Sequence, residues 1–170
     1  KPDYAEAHNN IGNALQDQGK LDEAIEAYKN TLTIKPDYAD AYYNLGNALQ
    51  AYEKFEEAAE AYKKAISIKP DYTDAYNNLG ITLKEQGKLD EAMEAYNKAL
   101  AIKPDHSKTH NNIGNALKDQ RKLDEAIEAF NKALSIKPDY AEAYNNLGIT
   151  LKEKRKFDDA IEAYNKALSI

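Results

Sequence analysis

Apolar side chains recur at helical spacing in two stripes, and the pair of stripes itself recurs every 34 residues. In the first unit one stripe is Ala7, His8, Ile11, Gly12, Ala14 and Leu15, and the other is Leu21, Ala24, Ile25, Tyr28, Thr31 and Leu32. Each predicts an amphipathic helix. Gly19-Lys20 stands between them, and glycine suits the left-handed turn that closes a helix. Glu53, Arg121 and Arg155 hold that position in three units, so the turn accepts a side chain. Pro36, Pro70, Pro104 and Pro138 end the second helices. Asp22-Glu23 lies at the positive dipole end of its helix, and Glu60 with Lys64, Glu94 with Lys98, Glu128 with Lys132 and Glu162 with Lys166 form favourable i,i+4 pairs. Gly12, Gly46, Gly80, Gly114 and Gly148 are expected to face Ala24, Ala58, Ala92, Ala126 and Ala160, so that the two helices approach closely.

Lys1-Pro2-Asp3-Tyr4 returns as Lys35-Pro36-Asp37-Tyr38, Lys69-Pro70-Asp71-Tyr72, Lys103-Pro104-Asp105-His106 and Lys137-Pro138-Asp139-Tyr140. The 170 residues hold five such units without remainder. A unit this small cannot bury its own apolar face, so neighbours must stack. The expected organisation is one array with repeats at about 5–38, 39–72, 73–106, 107–140 and 141–170, residues 1–4 being the tail of a preceding repeat. Starting in mid-pattern and without Met, the chain is expected to be a piece of a longer protein.

Fixed residues separate the repeat types that share this length. Tyr42, Leu45-Gly46, Leu49, Ala58, Tyr62 and Pro70 occupy the offsets of the tetratricopeptide pattern. His8, Ile11-Gly12, Leu15, Ala24, Tyr28 and Pro36 do the same, and the other units follow in step, the last stopping at Ile170 before its proline. The chain resembles a tetratricopeptide repeat array over its whole length, with Tyr or His where the family often has Trp. That resemblance implies an all-α fold, a right-handed superhelical solenoid of five tandem helix-turn-helix repeats, with the first helices lining a concave groove.

Composition removes several functions. There is no Cys, so disulfides and Cys-based metal sites are excluded. No apolar run is long enough to span a membrane. Net charge is −6 with Lys and Arg spread evenly, which argues against nucleic acid as partner. Neither a phosphate-binding glycine loop nor a unique Ser-His-Asp set occurs, and repetition opposes catalysis, because an active site needs unlike groups converging once. No enzyme activity and no cofactor are expected. His106 and His110 have metal-compatible spacing, yet each fills a slot that is Tyr in most other repeats, and His8 does likewise; no metal site is expected.

The first helix carries a polar stripe opposite its apolar one: Glu6, Asn9, Asn10, Asn13, Gln16 and Asp17. One row never varies, namely Asn10, Asn44, Asn78, Asn112 and Asn146. A second holds Asn9, Asn77, Asn111 and Asn145 with Tyr43 as the exception, and a third holds Asn13, Asn47 and Asn115. Asn is a middling helix former, and its amide complements a peptide group. Helices roughly 8–10 Å apart, against about 3.3 Å per residue of extended chain, place one rung at about every third peptide unit. Residues 44–49, Asn-Leu-Gly-Asn-Ala-Leu, and 86–92, Gln-Gly-Lys-Leu-Asp-Glu-Ala, are similar to the asparagine ladder of the O-linked N-acetylglucosamine transferases, which implies a grip on peptide backbone.

Two readings of the rows stay open, ligand contact and bonding between neighbouring repeats. Tyr43 is the candidate anchor, a large ring on the polar stripe. Glu6, Asp40, Asp74 and Glu142, interrupted by Lys108, make one edge acidic, while Lys84, Lys118 and Lys152 lie deeper, so a neutral or mildly basic segment should prefer the amino-terminal half. The basic clamp by which some tetratricopeptide domains hold acidic tails is replaced here by Asn9, Asn78 and Asn112. Changing Asn44, Asn78 and Asn112 to Ala is expected to abolish peptide capture with melting nearly unchanged.

The function expected is a non-catalytic interaction scaffold for an extended protein or peptide segment. One alternative is the substrate-recognition arm of a larger enzyme such as a glycosyltransferase. Another is head-to-tail self-association into a superhelical fibre through Phe157, Ile161, Tyr164 and Leu168, because Ser169-Ile170 followed by Lys1-Pro2-Asp3-Tyr4 recreates residues 67–72.

Overall fold

The computed structural model describes the backbone of residues 2–170 and the side chains from residue 4 onward. It holds ten α-helices: α1 (Pro2–Asp17), α2 (Leu21–Ile34), α3 (Ala39–Ala51), α4 (Phe55–Ile68), α5 (Thr73–Glu85), α6 (Leu89–Ile102), α7 (Ser107–Asp119), α8 (Leu123–Ile136), α9 (Ala141–Glu153) and α10 (Phe157–Leu168). The chain is all-α and built from helix-turn-helix pairs. It divides into two compact units, Lys1–Ala95 and Tyr96–Ile170, with the boundary inside α6.

In the first unit α1 pairs with α2 and α3 with α4, while α2 lies on α3 and α4 on α5. The first helices α1, α3 and α5 are also neighbours in succession. The second unit repeats the arrangement, α7 with α8, α9 with α10, α8 on α9, and α7 beside α9.

A ring sits at the centre of each pair. Tyr28, Tyr62, Tyr96 and Phe130 are fully buried. A Cβ built on Gly12 would lie 2.5 Å from the Tyr28 ring, and Gly46, Gly114 and Gly148 meet Tyr62, Phe130 and Tyr164 in the same way, at 2.5 to 2.6 Å. The space left by the missing side chain thus holds an aromatic ring from the second helix, a neighbour that the sequence pattern did not indicate. Around the rings the core is small, with Ala24, Ala58, Ala65, Ala126 and Ala133 fully buried.

The turn within each pair closes the first helix with a left-handed residue. Gly19 and Gly87 have φ of 75° and 76°, and Glu53, Arg121 and Arg155 have φ of 59°, 62° and 60°. In the first turn Lys20 N–H reaches Leu15 O and Gly19 N–H reaches Gln16 O, both at 2.9 Å, the double bond of a Schellman cap. Lys54 to Leu49 and Glu53 to Gln50 repeat it without glycine.

Two local expectations change. Glu60 pairs with Lys63 at 2.9 Å instead of Lys64, whereas the Glu162–Lys166 pair forms at 2.8 Å. At the amino end, α1 runs from Pro2, where Pro36, Pro70, Pro104 and Pro138 stand in turns between helices. Lys1 and the side chains of Pro2 and Asp3, part of the Lys1-Pro2-Asp3-Tyr4 motif, lie outside the described residues.

Candidate functional site

Because first helices lie side by side within each unit, their polar stripes adjoin. The invariant row is partly open: Asn10 is exposed, and Asn44, Asn78, Asn112 and Asn146 are half-buried. The second row is placed differently. Asn9, Asn77 and Asn111 are buried and Asn145 is exposed. Asn9, Asn77 and Asn111 therefore offer little open surface.

The two rows are joined across repeats. Asn44 Nδ2 donates to Asn9 Oδ1 at 3.1 Å, and in the second unit Asn146 Nδ2 donates to Asn111 Oδ1, also at 3.1 Å. Asn111 Nδ2 in turn donates to Glu142 at 3.0 Å. Where Tyr43 replaces the asparagine, its hydroxyl accepts the equivalent bond from Asn78 Nδ2 at 3.2 Å.

Asn78 makes further bonds. Its Nδ2 also donates to Asn47 Oδ1 at 2.9 Å, and its Oδ1 accepts from Asn77 at 3.1 Å. Stability should therefore fall on its removal, which corrects the expectation of unchanged melting. Asn44 and Asn146 use one amide hydrogen each in these bonds, so a second N–H and the carbonyl oxygen take no part in them.

The third row meets the core tyrosines. Tyr28 hydroxyl donates to Asn13 Oδ1 at 2.8 Å and approaches Gln16 Oε1 at 3.1 Å. Tyr62 does the same with Asn47 and Gln50, both at 2.8 Å. A buried ring thus passes over a glycine and delivers its hydroxyl to the polar stripe. The sequence holds a signal for this link, a Tyr with Asn fifteen and Gln twelve residues before it, in Asn13-Gln16-Tyr28 and Asn47-Gln50-Tyr62. Burial, with the charge of Asp17 adding to it, raises the Tyr28 phenol to about 12, and burial drives that of Tyr62 well upward.

Tyr43 is half-buried and fixed. Its ring centroid lies 4.9 Å from that of Tyr72 and 6.0 Å from that of Tyr62. Burial, with the Asp40 carboxylate adding to it, pushes the Tyr72 phenol far up. Burial raises Tyr43 too, with Asp74 adding to the shift and bonds to Asn47 and Asn78 opposing it. Aromatic faces and carboxylates consequently share one edge of the first unit's stripe.

The remaining candidates have local roles. His106 Nδ1 bonds Thr109 Oγ1 at 2.6 Å and His110 Nε2 bonds Pro104 O at 2.9 Å. Asn13 is exposed and Asn47 and Asn115 are half-buried. A feature absent from the sequence reading is an apolar groove of about 400 Å³, lined by Tyr42, Leu45, Leu49 and Ala61 together with Lys29, Lys64, Glu56, Glu57 and Glu60. In the second unit Tyr144, Leu147, Leu151 and Ala163 line a space of about 280 Å³ at the equivalent positions. No helix among the described residues is long and apolar enough to cross a membrane.

Comparison with known proteins agrees with this architecture. Residues 12–52, 53–87 and 114–155 match the TPR repeat, and residues 73–106, 141–170 and 95–128 match the tetratricopeptide repeat. No curated protein matches the sequence. Among solved structures, MamA is 28% identical with a TM-score of 0.80, over 94% of this chain and 93% of that one. YrrB, described as a TPR protein with an unusual peptide-binding site, is 26% identical with a TM-score of 0.70, over 95% and 84%. PilF of Pseudomonas aeruginosa is 24% identical with a TM-score of 0.88, over 98% and 76%, a likeness of fold.

Proposed function

The chain belongs to the tetratricopeptide repeat family, and on that premise we propose that its asparagine-lined stripe binds an extended segment of another protein, through backbone first and side chains second. One observation carries the reading: after bonding to the preceding repeat, Asn44 and Asn146 still present an amide N–H and a carbonyl oxygen from half-buried positions. That pair of groups complements a peptide unit, which has one donor and one acceptor. The arrangement resembles the ladder of the O-linked N-acetylglucosamine transferases. YrrB, similar in fold and sequence, is described as having a peptide-binding site.

The magnitudes set what the ladder can do. A neutral hydrogen bond contributes about 1 kcal/mol net, so the rungs of either unit offer no more than about 2–3 kcal/mol against association costs of roughly 4–15 kcal/mol. Backbone contacts alone bind weakly. The edge formed by Tyr43, Tyr72, Asp40 and Asp74 supplies the added contact in the first unit and favours neutral or mildly basic segments.

A peptide array probed with the parent and with an Asn10→Ala/Asn44→Ala/Asn146→Ala variant tests the reading. Extended segments retained by the parent and lost by the variant, whatever their side chains, support it. Segments that bind both proteins equally would move binding off the stripe, with the Tyr42–Leu49 groove as the next surface to alter.

A further inference from the structure

We propose that the groove between α2, α3 and α4 receives a lysine side chain from a partner protein segment, its apolar stem against the leucines and its ammonium over the Tyr42 ring. The chain contains its own example of such an occupant. Three repeats further along, Tyr144, Leu147, Leu151 and Ala163 line the equivalent space between α8, α9 and α10. There Lys166 Nζ lies 5.9 Å from the Tyr144 ring centroid and 2.8 Å from Glu162. An ammonium on a flexible apolar stem, set between a tyrosine face and a carboxylate, thus lies across the second unit's groove.

In the first unit the same carboxylate is engaged elsewhere. Glu60, the counterpart of Glu162, pairs with Lys63 at 2.9 Å. Asn165 stands at the position of Lys63, so the second unit has no such competitor. Lys64, the counterpart of Lys166, forms no ion pair among the described residues, and no cation lies over the Tyr42 ring. The groove measures about 400 Å³, against about 280 Å³ where Lys166 lies across it.

Charge agrees with a cationic occupant. Glu56, Glu57 and Glu60 line the first groove together with Lys29 and Lys64, three carboxylates against two ammoniums. Glu56 and Glu57 form no ion pair among the described residues. Tyr42 is half-buried, and Leu45, Leu49 and Ala61 are buried. The site therefore offers apolar surface and a ring face for a stem and carboxylates for its head. An anionic side chain would meet those carboxylates, and a wholly apolar one would leave them unused. None of these groups belongs to the asparagine rows, so the groove is a second site.

The test is NMR of the methyl and tyrosine-ring resonances of the isotope-labelled protein, titrated with N-acetyl-Leu-Lys-Leu-amide. Signals of Tyr42, Leu45, Leu49 and Ala61 should shift and saturate. The same peptide with norleucine for lysine keeps the stem without the charge and should bind about five-fold more weakly, or worse. The glutamate peptide should bind more weakly still. Lys63→Asn copies the second unit's sequence, releases Glu60 to Lys64 and should lower affinity for the lysine peptide by about the same factor. Lys63→Asn/Lys64→Gln removes the internal competitor, and affinity should return. Lys63 and Lys64 are exposed, and circular dichroism checks that both variants keep their helicity.

A norleucine peptide that binds as well as the lysine one overturns the proposal, as do shifts that spare these four residues. A Lys63→Asn variant that binds like the parent overturns it too. The outcome is independent of the peptide-array result, since the Asn10→Ala/Asn44→Ala/Asn146→Ala variant alters none of the residues lining this groove.

Discussion

The Asn78 amide donates to the Tyr43 hydroxyl at 3.2 Å, taking the place of the asparagine–asparagine bond seen between Asn44 and Asn9 and between Asn146 and Asn111. A phenol on one first helix thereby serves as acceptor for the next. Tyr43→Phe should cost about 0.5–1.5 kcal/mol, and Asn78→Ala about 1–3 kcal/mol because it also strips Asn47 and Asn77 of a partner. A double-mutant cycle in urea should return a coupling of about 0.5–1.5 kcal/mol. Additive effects would mean that the bond contributes nothing to the stack.

The glycine beneath each ring makes a sharper prediction. Gly46→Ala places a methyl group 2.6 Å from Tyr62, which is fully buried and cannot swing aside. Overpacking of this kind costs typically about 1–3 kcal/mol. Gly19→Ala meets no atom within 4 Å but must hold φ of 75°, so its cost is conformational, about 1 kcal/mol. Pairing Gly46→Ala with Tyr62→Leu should recover part of its loss, and the same second change should do nothing for Gly19→Ala.

At the three turns that lack glycine, adding it should stabilise. Glu53, Arg121 and Arg155 sit at φ of about 60°, where an L side chain costs roughly 1–2 kcal/mol. Substituting glycine relieves that strain but raises the entropy of the unfolded chain, by about 0.4–1 kcal/mol. The net expectation is a gain of about 0.5 kcal/mol per site, read as a higher Tm for Glu53→Gly/Arg121→Gly/Arg155→Gly. A lower Tm would show that these side chains contribute more to the turn than their backbone strain removes.

Alkali should destabilise the protein through its buried phenols. An unfolded tyrosine titrates near pH 10, whereas burial keeps Tyr28 protonated up to about 12 and raises Tyr62 and Tyr72 as well. Above pH 10 the unfolded chain therefore binds fewer protons than the folded one, so stability is intact below pH 10 and falls as pH rises from there. The limit is about 1.4 kcal/mol per pH unit for each phenol that keeps its proton. Urea melts at pH 8 and pH 11 should show the loss, and Tyr28→Phe/Tyr62→Phe should lessen it. Phe130 already fills the same slot without a hydroxyl.

Much of this was legible before the fold. The 3.6-residue periodicity placed both helices of each repeat, and Gly19, with its substitutes Glu53, Arg121 and Arg155, marked the left-handed turn. The asparagine rows were legible as rows, but not their roles. Periodicity fixes which residues share a face; it does not fix how far each helix is rotated toward its neighbour. That rotation decides that Asn9 is buried while Asn10, one residue away, is exposed. The Tyr28 ring that fills the space over Gly12 was likewise not foreseen. Hydroxyl–amide links such as Tyr62 to Asn47 join residues fifteen apart on different helices, a separation that no single-helix pattern reports.

The seat of the aromatic ring on glycine also bears on how such a chain can diverge. Two positions per hairpin govern the spacing of its helices, and one of them already alternates between Tyr62 and Phe130 without moving the frame. The first-helix stripe has drifted beside it, from Asn9 to Tyr43 and from Asn13 to Ile81, while the seat stayed in place. The ring seat thus lies on residues apart from the positions that have drifted, so copies made by duplication can change their polar stripe while the spacing of the two helices is kept.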